Sequence, residues 1–122
     1  MFEVTIKKTF AAAHQLRDVG GKCEGLHGHN FTVEVSCAAK NLNTEGLLLD
    51  FRKLKRWTDE VLDELDHKYL NDLPFFKDLN PSSEIIARFV FERLAEKTKL
   101  SDAPVSRVTV WESEDARVSY SL

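Results

Sequence analysis

The stretch His27-Gly28-His29-Asn30-Phe31-Thr32-Val33-Glu34-Val35-Ser36-Cys37-Ala38-Ala39 decides the fold. Phe31, Val33, Val35 and Cys37 alternate with Asn30, Thr32, Glu34 and Ser36. That two-residue period predicts a strand with one face in a core and the other in water. Counted backwards by twos, the apolar face runs on to His29 and His27. Both imidazoles therefore leave the backbone on the core side, where the strand begins, and Gly28 between them leaves the main chain free to bend.

Upstream, Phe2, Val4 and Ile6 alternate with Glu3, Thr5 and Lys7, which predicts a first strand from about Phe2 to Phe10. The same count continued through Phe10 and Ala12 reaches His14, with only Lys8 out of character. If no bulge intervenes, His14 also points inward, from a strand that pairs with the second. Between the two lies a polar, glycine-flanked loop, Gly20-Gly21-Lys22-Cys23-Glu24-Gly25.

Downstream, Gly46 to Phe51 either extends the hairpin or leads into a helix. That helix is expected from Phe51 to about Leu65, with Asp50 as N-cap and Leu54, Trp57, Val61 and Leu65 as its apolar face. A second helix is expected to open with Asn80 as N-cap and Pro81 in the first helical position, burying Ile86, Phe89, Val90 and Leu94. Two last strands, Val105 to Glu112 and Arg117 to Tyr120, flank the turn-like Ser113-Glu114-Asp115. The order ββααββ predicts an α+β fold, a four-stranded antiparallel sheet with both helices on one face.

The chain has 122 residues, which predicts one domain over residues 1–122, large enough to fold without staples. A net charge of −3 and the lack of a basic run argue against a nucleic-acid or anionic-membrane partner. The start Met1-Phe2-Glu3-Val4 offers no apolar signal core, and no stretch is apolar enough to span a membrane. Two cysteines among four histidines do not form a disulfide framework, so a reducing, cytoplasmic setting is expected.

Three inward imidazoles at His14, His27 and His29, with a fourth position open, suit a catalytic zinc. The rival readings are three satisfied polar residues at the edge of a core, and a closed structural site in which Cys23 is the fourth ligand. Cys23 sits in a poor place to bury a thiol, and a nearby cation would make it a base or nucleophile. Cys37, within the apolar alternation, reads as core. Asp66-His67 reads either as a cap on the first helix or as a His–acid pair that shuttles protons. Glu112 shares a strand face with Val108 and Val110. It must lie at the strand's exposed end, have a partner, or receive a ligand, for instance a ring edge with two adjacent N–H donors.

Taken together, Phe10-Ala11-Ala12-Ala13-His14, Cys23-Glu24-Gly25-Leu26-His27-Gly28-His29, Gly46 to Asp50, Leu65-Asp66-His67-Lys68-Tyr69-Leu70-Asn71, Asn80-Pro81-Ser82-Ser83-Glu84 and Trp111-Glu112-Ser113 resemble the 6-pyruvoyl-tetrahydropterin synthase family across essentially the whole chain. The resemblance implies the tunnelling T-fold, with zinc on His14, His27 and His29. It implies proton transfer by Cys23 with Asp66 and His67, and a pterin ring anchored by Glu112. Ser82 and Ser83 stand where the family often has threonine. Serine keeps the hydroxyl, so the resemblance makes both substrate-binding.

Three residues separate Cys23 from His27, a spacing that resembles the branch of the family in queuosine biosynthesis. It implies conversion of 7,8-dihydroneopterin triphosphate to 6-carboxy-5,6,7,8-tetrahydropterin, with release of acetaldehyde and triphosphate. A spacing of five is similar to the biopterin branch, which eliminates triphosphate and keeps the side-chain carbons. The non-catalytic alternatives are a structural zinc domain and a pterin-binding module. A four-stranded sheet also leaves two edges and one face open, which invites association. The resemblance implies a homo-oligomeric barrel, a hexamer built from two trimers, with active sites at subunit boundaries and with Glu112 or the Asp66-His67 pair reaching a zinc site on another chain.

Overall fold

In the computed structural model, which describes residues 1–18 and 25–122, strands β1 (Phe2–His14) and β2 (His27–Ala39) pair antiparallel without slip, from Phe2↔Ala39 to His14↔His27. β1 thus continues past its expected end at Phe10. Alanines are weak strand formers, yet Ala11, Ala12 and Ala13 each find a ladder partner in Asn30, His29 and Gly28. Pairing overrides intrinsic preference here. With no bulge between the two strands, the inward phase holds, and Ile6, Phe10, Ala12 and His14 are all buried.

Gly46 adopts a φ of +79°, which costs glycine little, and the chain then turns into α1 (Phe51–Leu62). Asp50 caps this helix, its Oδ1 accepting from the Arg52 N–H at 2.8 Å. The helix stops short of the expected Leu65. Successive tight turns follow, with Leu65 N–H donating to Leu62 O at 2.9 Å and Asp66 N–H to the same carbonyl at 2.8 Å. Leu65 stays fully buried. A short parallel strand, β3 (Lys68–Tyr69), then pairs with Ala12 and Ala13 of β1, and two 3-10 turns follow at Leu70–Asp72 and Pro74–Phe76.

The second helix, α2 (Ser83–Thr98), begins later than expected. Ser82 is its N-cap, accepting from the Ile85 N–H at 3.2 Å. Asn80 cannot take that role because its side-chain amide is bound to the main chain of Arg17. Strands β4 (Val105–Trp111) and β5 (Arg117–Tyr120) complete a sheet of order β3-β1-β2-β4-β5. The expected four-stranded antiparallel sheet is present, with β3 added as a parallel edge.

Both helices cover one face. Leu54 and Val61 of α1 and Ile86, Phe89, Val90 and Leu94 of α2 form one core with Phe31, Val33, Val35, Val108 and Val110 of the sheet. Cys37 is buried in that core, and burial pushes its thiol up to about 12. The opposite face is polar. Thr5 and Ser36 hydroxyls meet at 2.8 Å, Thr109 and Ser119 at 2.6 Å, and the Trp111 indole N–H donates to Glu34 Oε2 at 3.1 Å.

Candidate metal centre and its surroundings

The β1–β2 register brings the histidines together. His14 lies directly opposite His27, and His29 is one inward step along the same face, opposite Ala12. Their ring centroids are 4.7 Å (His14–His27), 5.2 Å (His14–His29) and 4.6 Å (His27–His29) apart. Phe31 forms an apolar floor, its ring 5.6 Å from His14 and 5.4 Å from His29, stacked in turn on Phe10 at 4.9 Å. The cluster therefore sits at one end of the core, His14 fully buried and the other two side chains partly open to solvent.

Ring tautomers follow from the outer partners. His14 Nδ1 is 2.7 Å from Pro81 O, and His27 Nδ1 is 2.6 Å from Gly25 O. A carbonyl only accepts, so both Nδ1 atoms carry the proton, and in the neutral rings both Nε2 atoms present lone pairs. The Nε2 atoms of His14 and His29 are buried without a hydrogen-bond partner. Burial holds His29 below its ordinary value of 6.5; Glu112 opposes this, and His14 and His27 reinforce it. Buried ring nitrogens left without a partner are costly unless a cation or ligand satisfies them. The donor set fits a metal ion held by neutral imidazoles.

Glu112 joins this group within its own chain, where it was expected to reach, if anything, the zinc site of another, because β4 lies beside β2 in the same sheet. It stands one residue beyond β4, and its Oε1 lies 3.0 Å from His29 Nε2, 3.7 Å from His14 Nε2 and 4.0 Å from His27 Nε2. The 3.0 Å approach is short enough for a hydrogen bond, yet His29 Nε2 remains without a hydrogen-bond partner. Ligand atoms from His14, His27, His29 and Glu112 all lie within 4.8 Å of one another, so the four residues form a group able to hold a metal ion. The Ser83 hydroxyl donates to the other oxygen, Oε2, at 2.9 Å. Of the sequence alternatives for Glu112, the exposed end and the partner both hold, since its side chain is one-third open. Ser82, by contrast, spends its hydroxyl on the α2 cap.

Asp66 and His67 form a separate pair at the sheet edge. Asp66 Oδ1 accepts from the Ala11 N–H at 2.9 Å, His67 N–H donates to Ala11 O at 2.6 Å, and Asp66 Oδ2 lies 3.0 Å from His67 Nδ1. The Ala11 N–H, then His67, holds the Asp66 carboxyl below its ordinary range. The pair is no cap on α1, which has already ended at Leu62. His67 has a φ of +59°, uncommon for a residue with a side chain, and its side chain is 82% exposed. Cys23 lies outside the described residues.

Two asparagines brace the chain beyond β1. Asn71 Oδ1 accepts from Gln15 N–H at 2.9 Å while its Nδ2 donates to Gln15 O at 2.8 Å. Asn80 treats Arg17 in the same way. Each amide stands in for a neighbouring strand just past His14. The only sequence signal was the asparagines themselves, a residue type suited to pairing with main chain in both directions.

Residues 3–122 match the 6-pyruvoyl tetrahydropterin synthase family. The 6-carboxy-5,6,7,8-tetrahydropterin synthase of Synechocystis is 42% identical over 93 residues, spanning 72% of this chain and 70% of that protein. The dihydroneopterin monophosphate aldolase of Pyrococcus furiosus is 34% identical over 112 residues, spanning 92% and 90%. The solved structure of Caenorhabditis elegans 6-pyruvoyl tetrahydropterin synthase superposes with a TM-score of 0.85 at 31% identity, covering 99% of this chain and 96% of that one.

Proposed function

This chain belongs to the 6-pyruvoyl tetrahydropterin synthase family, and on that premise we propose that it is a zinc-dependent carbon–carbon lyase. It converts 7,8-dihydroneopterin triphosphate to 6-carboxy-5,6,7,8-tetrahydropterin, releasing acetaldehyde and triphosphate, as a step toward queuosine. The observation that carries the reading is the convergence of three imidazole Nε2 atoms, two of them buried and without partners, beside a carboxylate at the mouth of the core. The three-residue spacing from Cys23 to His27 supports this product over 6-pyruvoyl tetrahydropterin, as does the similarity to the Synechocystis protein.

His14, His27 and His29 hold the zinc. When bound, the ion supplies positive charge that stabilises side-chain oxygens of the substrate as they lose protons. The Pro81 and Gly25 carbonyls keep the His14 and His27 rings in the ligating tautomer. Glu112 accepts two adjacent N–H groups of the pterin ring, and the Ser83 hydroxyl holds that carboxylate in place. Cys23, as thiolate, takes and returns protons at the carbon next to the ring. Asp66 orients His67, which passes protons to and from the reacting side chain. Ser82 and Ser83 line the substrate site in this reading, although the Ser82 hydroxyl is engaged in the helix cap.

An 82% exposed His67 on a positive φ is a poor proton relay in isolation. It becomes a sensible one against a neighbouring subunit. We place the protein in the cytoplasm as a homo-oligomer, a hexamer of two trimers, in which the polar sheet face lines a barrel. The domain spans residues 1–122.

The test is an incubation of zinc-loaded protein with 7,8-dihydroneopterin triphosphate. Acetaldehyde released in step with triphosphate supports the reading. Triphosphate without acetaldehyde points to the 6-pyruvoyl product, and neither product, with pterin still bound, points to a binding module.

A further inference from the structure

We propose that Glu112 is an exchangeable fourth ligand of the metal, closing its coordination sphere in the substrate-free protein and leaving it when a pterin enters. The proposal rests on the metal-binding reading above and deepens it. An ion with arms of about 2.0–2.1 Å to four tetrahedral ligands sets those ligand atoms roughly 3.4 Å apart. Glu112 Oε1 stands 3.0, 3.7 and 4.0 Å from the three Nε2 atoms, a spread around that spacing.

The orientation argues the same way as the distances. A carboxylate that merely paired with a protonated imidazole would align with an N–H, yet His29 Nε2 makes no hydrogen bond at 3.0 Å. Two of the three rings carry their proton on Nδ1, so they offer Oε1 no donor. Two lone-pair nitrogens, a third Nε2 without a hydrogen-bond partner and a carboxylate oxygen gathered together match a ligand set better than a hydrogen-bond network.

Exchange follows from where Glu112 sits. It has left the β4 ladder, its N–H making a 3.3 Å turn contact with Ala116 O, and its side chain is one-third exposed. Ser83 holds Oε2 only, at 2.9 Å, so the carboxylate can pivot about that contact. One carboxylate cannot both complete the metal's sphere and accept two ring N–H groups. Pterin entry would therefore draw Glu112 away from the three histidines, and an ion held there would be left better able to polarise oxygen.

The experiment uses the full chain stripped of metal and reloaded with zinc or cobalt(II), with no pterin present. Glu112→Gln and the shorter Glu112→Asp should each raise the zinc dissociation constant by about tenfold or more, the least expected when a ligating or ligand-supporting group is lost. Both should also change the visible cobalt absorption, with unchanged near-UV circular dichroism. Adding 7,8-dihydroneopterin to the cobalt-loaded parent should move its spectrum in the same direction. Equal zinc affinity and superimposable cobalt spectra for the parent and both variants would overturn the proposal while leaving the three-histidine site standing. Failure of the parent to bind zinc at all would overturn the metal reading beneath it.

Discussion

Asn80 pairs with Arg17 as a strand would. Its Oδ1 accepts from the Arg17 N–H and its Nδ2 donates to the Arg17 carbonyl, both at 2.8 Å. The next residue, Pro81, receives the Nδ1 proton of His14 at 2.7 Å. One short segment thus fixes both the main chain leaving β1 and the ring of the most buried histidine. Asn80→Ala removes two hydrogen bonds, worth about 0.5–1.5 kcal/mol each, so a loss of about 1–3 kcal/mol is expected in urea unfolding of the metal-free protein. Zinc affinity should fall with it, because the carbonyl that orients His14 is no longer held. A stable variant with unchanged zinc affinity would show the clamp to be idle.

The three histidines should not respond alike. His14 is fully buried, and its removal leaves the Pro81 carbonyl without its donor. His14→Ala is expected to cost the metal-free protein about 2–4 kcal/mol from the orphaned carbonyl and the cavity together. His27 and His29 side chains are 31% and 25% exposed, and alanine at either should cost about 1 kcal/mol or less. The double variant of His27 and His29 should fold and lose both metal and turnover. Equal stability losses at all three positions would contradict the burial argument. Collapse of the parent on demetallation would favour a structural zinc.

The alternation along β2 carried most of the legible part. It set the inner face from Cys37 to His27 and, through phase alone, aimed His14 at the same point. What the sequence hid was held by side-chain pairing with main chain at long separation. Asn80 read as a helix cap because asparagine before proline usually is one, and only the Arg17 contact shows why Ser82 took the cap instead. Lys68–Tyr69 is too short to show a period, and it is a strand only because β1 ran on through three alanines to meet it. Glu112 was legible as a carboxylate on an apolar face. Its closeness to the histidines was not, since it depends on β4 lying beside β2 in a register the sequence does not print.

The two cysteines should differ sharply toward alkylation. Cys37 is buried, with its thiol pushed up to about 12, so it stays protonated and covered at pH 8. Cys23, if it is the reactive thiolate proposed above, should take iodoacetamide first. Mass spectrometry of the native protein should show one modification per chain, mapping to Cys23, and a second only after unfolding. Cys23→Ala should keep zinc and pterin binding and lose most turnover. Labelling of Cys37 ahead of Cys23 would remove the basis for calling Cys23 the proton-transfer group.

Asp66 and His67 raise the question of which zinc they serve. They grip the two main-chain groups of Ala11, whose side chain faces away from the core, while the metal ligands His14 and His29 leave the sheet on the core side. Among the described residues, no hydrogen bond or ion pair joins His67 to the histidine cluster; its side chain pairs with Asp66 and its main chain with Ala11. A relay so placed has more to reach outside its own chain than within it. If sites are shared between subunits, mixing inactive Cys23→Ala with inactive His67→Ala under conditions of subunit exchange should restore activity, because some interfaces then join an intact Cys23 to an intact His67. Random exchange limits the recovery to a fraction of the parent rate, and it should grow with exchange time. No recovery from fully exchanged mixtures, or full activity in a species that light scattering shows to be a monomer, would place Cys23 and His67 in one chain's site after all.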